Sequence, residues 1–127
     1  MSIWNNPFVA ALSPGRASAH RVKKEEERYK TVINHIEKLI GSTLEPPKEN
    51  HIRDLDMILF NMALVTREFS DIAVKPIMNS KKEGEKMLDL SSKYLKAQHR
   101  LRVKYKQYFP EYQKFLDGGN VPKWLLE

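Results

Sequence analysis

Met57-Ile58-Leu59-Phe60-Asn61-Met62-Ala63-Leu64-Val65, the middle of a stretch from Ile52 to Val74, holds one polar residue in nine. Around it Ile52, Leu55, Ile58, Leu59, Met62, Val65, Phe69 and Ile72 recur at helical spacing and cover one wide face, and Met57, Phe60 and Leu64 add a second. A helix that is apolar almost all round is buried on most sides, so this stretch is expected to be the central helix, against which the flanking segments lie. Asn61 is the exception. A single amide in an apolar centre is most often hydrogen-bonded to a neighbouring helix and fixes register; a ligand contact is the alternative.

Toward the N-terminus, Gly-Ser-Thr-Leu-Glu-Pro-Pro at 41–47 forms a connection. A proline pair cannot sit inside a helix but its second member can begin one, which predicts the central helix from about Pro47 to Ala73. Before the connection, Val22, Tyr29, Val32, Ile33, Ile36, Leu39 and Ile40 share an arc of roughly 120°. They predict a first helix from about Ser18, as cap, to Ile40, closed by Gly41. Glu25-Glu26-Glu27 lie near the positive end of its dipole. Neighbours on a helix point about 100° apart and cannot converge on one ion, so the triple Glu is expected to be a solvated face.

Toward the C-terminus, Lys75-Pro76 interrupts the central helix, and Ser80-Lys81-Lys82-Glu83 has the form of a capping box. A third helix is predicted from about Lys81 to Phe109, with Met87, Leu88, Leu90, Tyr94, Leu95, Ala97, Leu101, Tyr105 and Tyr108 inward. A short helix over Pro110–Leu116 follows, then an apolar tail, Asn120 to Leu126, expected to pack across the open end of the bundle. Strand-like alternation and internal repeats are absent. The expected fold is all-α, an antiparallel three-helix bundle over residues 18–127, preceded by an arm at 1–17 and ending in short helical segments.

The net charge of +6 is uneven. Residues 93–106 hold six bases and no acid, and residues 1–24 hold four bases and no acid. Lys82, Lys86, Lys93, Lys96, Arg100 and Lys104 project within roughly 80° on the third helix, opposite its apolar face. Such a row suits a phosphate backbone or an acidic protein surface; the plainer alternative is a solvated face. No short polar residues stand where base edges would be read, so nucleic-acid contact would go mainly to phosphate. In the arm, Trp4, Phe8 and Leu12 recur every four residues, a set of anchors for a partner's groove or for the bundle itself.

Catalysis finds little support. His20, His35, His51 and His99 share no close spacing, and no HExxH, phosphate-loop or dinucleotide fingerprint occurs. The chain has no cysteine, so thiolate metal sites and disulfides are impossible. No metal and no cofactor is implied. No apolar run approaches the roughly 18 residues of a membrane span, and no secretory h-region is present. An intracellular location is expected, with an organellar targeting segment as another reading of the basic, acid-free first 24 residues. The function expected is therefore a non-enzymatic helical subunit or adaptor with a protein partner. A non-specific nucleic-acid-binding protein is the rival, and self-association through the apolar surplus of the central helix is a further expectation.

Overall fold

The computed structural model describes residues 14–42 and 45–126. It is all-helical, and no strand occurs among the described residues. Three long helices, α1 (Pro14–Ile40), α2 (Glu49–Ala73) and α3 (Lys81–Lys104), pack against one another. A 3-10 turn (Lys106–Tyr108) leads to α4 (Pro110–Asp117) and α5 (Lys123–Leu126).

The first helix begins earlier than its Ser18 cap suggests. Pro14 takes the opening helical turn, where its missing N–H is not needed. The break after α2 is real, with Asn79 in the left-handed region at φ 46°. The capping box does not form. Ser80 sits at the N-cap, but its hydroxyl donates to the Met78 carbonyl at 3.0 Å.

The main core joins Ile36 of α1, Ile52, Leu55 and Leu59 of α2, and Tyr94 and Leu101 of α3. Burial pushes the Tyr94 hydroxyl up to about 12, helped by the nearby Glu25 carboxylate. Val22, Met87 and Leu90 make a smaller cluster toward the opposite end of the bundle. At the first end Tyr105 donates to the Leu39 carbonyl at 3.2 Å and Tyr108 to the Pro47 carbonyl at 2.9 Å, closing the core over the α1–α2 connection.

Helix α2 is not buried on most sides, and this corrects the sequence expectation. Its inward face in the second half is made of Ala63, Thr66, Ser70 and Ala73. These small residues meet Gly84 and Ser91 of α3 and bring the two helices close. The hydroxyls are satisfied: Thr66 donates to Met62 and Ala63 carbonyls, and Ser91 to the Ala63 carbonyl at 2.8 Å. Met57, Ile58, Phe60, Leu64, Val65 and Ile72 are left exposed instead. Leu88 of α3, expected inward, is exposed as well.

Gly84 belongs to this close approach. A Cβ there would stand 2.8 Å from Val74 Cγ1 and 3.2 Å from the Ser70 carbonyl oxygen. Helix propensity alone would make Gly84→Ala a gain of about 1 kcal/mol. Here we expect a loss of about 1–2 kcal/mol, because the helix pair must part to admit the methyl. Urea denaturation checks the sign; a higher midpoint would show that the contact yields freely.

Candidate functional site

Two surfaces of opposite character stand out. The first is the outer ridge of α2. Met57, Asn61, Leu64 and Glu68 run along its crest, with Phe60 on one flank and Ile58, Val65 and Ile72 on the other, an arc of roughly 160°. Met57 is 58% and Leu64 44% exposed, whereas Leu59 between them is fully buried. Asn61 is itself exposed at the middle of this ridge and forms no register bond inside the bundle. Exposed Asp54 and Asp71 give the ridge acidic edges and Glu68 an acid on the crest, with Arg53 and Arg67 on the Phe60 side. Arg53 is engaged within the chain, by Glu49 at 3.1 Å and the Tyr108 carbonyl at 2.7 Å.

The second surface is the basic side of α3. Lys82, Lys86, Lys93, Arg100 and Lys104 are exposed and Lys96 is half-buried; the row does not lie opposite the packed face, as the spacing suggested, but along the side of α3 next to α1. Packing divides the row. Lys82 and Lys86 share a shallow hollow with Glu26, Glu85 and Asp89. Lys93 Nζ is 3.1 Å from Asp89 Oδ2, a hydrogen bond that raises the lysine above its ordinary value. Arg100 grips Glu37 of α1 with both nitrogens, which lowers the carboxylate and raises the guanidinium. Lys82, Lys86, Lys96 and Lys104 form no ion pair among the described residues.

The C-terminal half of this row rims a cleft of about 600 Å³ between α1 and α3. Its floor is apolar: Tyr29, Ile33 and Ile40 from α1, Ala97 and Val103 from α3, and Leu125 of the tail. Lys93, Lys96, Arg100 and Lys104 stand around it. Leu125 thus borders the cleft, while Trp124 is exposed.

Sequence patterning missed several polar clusters. Glu25 is not part of a solvated face; it is fully buried, with Arg21 Nε at 3.2 Å and Arg28 Nη1 at 3.1 Å. Only Glu26 and Glu27 are solvated. Arg102 binds Asp56 with two bonds, over the Phe109 and Tyr112 rings. His99 hydrogen-bonds the Tyr112 hydroxyl, and desolvation lowers its pKa below the ordinary histidine range. The i,i+3 and i,i+4 spacing of Arg21, Glu25 and Arg28 was a legible signal; the contact of Asp56 with Arg102 across 46 positions was not.

The anchors Trp4, Phe8 and Leu12 lie outside the described residues. No group of three or more His, Asp or Glu that would hold a metal occurs among the described residues. No helix there is long and apolar enough to cross a membrane. The chain matches no protein-family model, no curated protein and no solved structure.

Proposed function

We propose that this chain is a non-enzymatic helical subunit or adaptor, an antiparallel three-helix bundle whose α2 ridge docks a helix of a partner protein in a larger assembly. The observation that carries this reading is the exposed row Met57, Phe60 and Leu64 with Ile58, Val65 and Ile72 beside it. Contiguous apolar surface of this kind marks interaction sites. The 4-3-4 spacing of Met57, Asn61, Leu64 and Glu68 is that of a helix–helix seam, and Asn61 at its centre suits a register-setting amide between chains. The acidic edges favour a partner helix flanked by Lys or Arg. Trp4, Phe8 and Leu12 of the arm supply a second grip in the same proposal.

Affinity purification of the tagged chain from its native cell, beside Met57→Glu/Leu64→Glu, tests it. We expect the wild type to bring down a partner in stoichiometric amount and the variant to lose it with an unchanged melting temperature. Retention of the partner by the variant, or a wild type that is a stable monomer with nothing bound, removes the proposal. A symmetric dimer of the wild type alone, lost in the variant, would transfer the ridge to a second copy of the chain.

The second reading, nucleic-acid binding through phosphates, is favoured by Lys82, Lys86, Lys96 and Lys104, the members of the basic row with no ion pair among the described residues. Neutralising four phosphates would give a log affinity falling with log salt at a slope of roughly −3.6 on duplex.

A further inference from the structure

The cleft between α1 and α3 differs from a plain basic stripe in having an apolar floor. No acid lines the cleft; Lys93 and Arg100 are paired with Asp89 and Glu37 outside it, which leaves Lys96 and Lys104 as its uncompensated cations among the described residues. From Lys93 to Lys104 the rim runs for roughly 16 Å, three helical turns at about 1.5 Å per residue. The cations stand three to four residues apart, so each is about one turn from the next.

We infer that this cleft binds an acidic amphipathic helix of a partner protein, its apolar side on Tyr29, Ile33 and Val103 and its carboxylates toward Lys96 and Lys104. Three observations select that occupant. Acids about two turns apart on a helix laid along α3 match Lys96 and Lys104, which stand eight residues and roughly 12 Å apart. The floor rewards apolar side chains, which a phosphate backbone does not offer. The surface is concave, whereas a bilayer presents a flat face. No residue of α2 lines the cleft, so the inference is independent of the ridge.

The test is fluorescence anisotropy with a labelled synthetic helix of about fifteen residues bearing Leu on one side and Glu around it. Its Leu→Ala and Glu→Lys versions, a DNA duplex and single strand, and anionic phosphatidylserine vesicles serve as competing probes. We expect the Leu/Glu helix to bind best and to weaken about tenfold or more with Lys96→Glu/Lys104→Glu. Val103→Ser should weaken it by about threefold to tenfold. Both sites are at the surface, so circular dichroism should report intact folding.

Equal binding of the Leu→Ala helix would reduce the site to bare charge and overturn the inference. So would no binding of the Leu/Glu helix at 100 µM, or tighter binding of DNA or vesicles with the same dependence on Lys96 and Lys104. Loss of partner capture by Met57→Glu/Leu64→Glu bears only on the ridge, which keeps failure of the two proposals distinguishable.

Discussion

Asp56→Ala should lower the stability of the protein by about 3 kcal/mol, with a melting temperature lower by about 10 °C. Asp56 accepts from Arg102 Nε at 2.7 Å and Nη2 at 2.9 Å. The pair is largely enclosed, at 29% and 14% side-chain exposure for Arg102 and Asp56. The guanidinium also lies 4.9 Å from the Tyr112 ring centre and 5.4 Å from that of Phe109. It therefore ties α2 to α3 and to the α4 segment at once. Deleting the carboxylate leaves a cation among rings, and an uncompensated charge costs more than the pair was worth. The contrast is Asp89→Ala. That residue pairs with Lys93 at 3.1 Å, but both side chains are about half exposed, and screening limits such a pair to well under 1 kcal/mol. Chemical denaturation of both variants decides the matter. Equal, small effects would mean that Arg102 finds water when Asp56 is gone.

Leu59→Ala should cost about 3–4 kcal/mol, and Leu64→Ala, five positions along the same helix, no more than about 0.5 kcal/mol. Leu59 is fully buried in the cluster with Ile36, Tyr94 and Leu101, and its removal opens a cavity there. Leu64 faces outward, so in the isolated chain its truncation removes little packing. A large cost for Leu64→Ala in the purified protein would mean that the ridge is already covered. The two substitutions thus separate the residues that hold the fold from those proposed to hold a partner. In a purified complex the order should shift, with Leu64→Ala weakening association while Leu59→Ala acts through folding.

Much of the architecture was legible in the chain because the relevant signals are local. Period 3.6 placed three long helices, and Pro46-Pro47 and Lys75-Pro76 placed the breaks within two residues. The basic row of α3 was legible for the same reason. Six positions within roughly 80° of one helix remain together whatever the helix packs against.

The buried side of α2 was a different kind of question. Apolar residues surround its middle, so periodicity could not say which half faces inward. The choice went to the side with Ala63, Thr66, Ser70 and Ala73, because small residues let α3 approach through Gly84 and Ser91. The hydroxyls there lose nothing by burial, since backbone carbonyls accept from them. A hydrophobicity pattern scores Thr66 and Ser70 as outward and Ile58, Val65 and Ile72 as inward, and packing reversed both. Glu25 is buried in the same way, with arginines three and four residues away on its Oε1.

By itself, then, the sequence determined the helices, their ends to within a few residues and the side of α3 that carries charge, since each depends on residues within a turn or two of one another. Tertiary structure alone decided that the most apolar helix would leave Met57, Ile58, Phe60, Leu64, Val65 and Ile72 exposed, and that the basic row would flank an apolar cleft. Both depend on how closely side chains from distant positions can approach, and that distance is set by volume and hydrogen bonding between helices, which no single helix encodes.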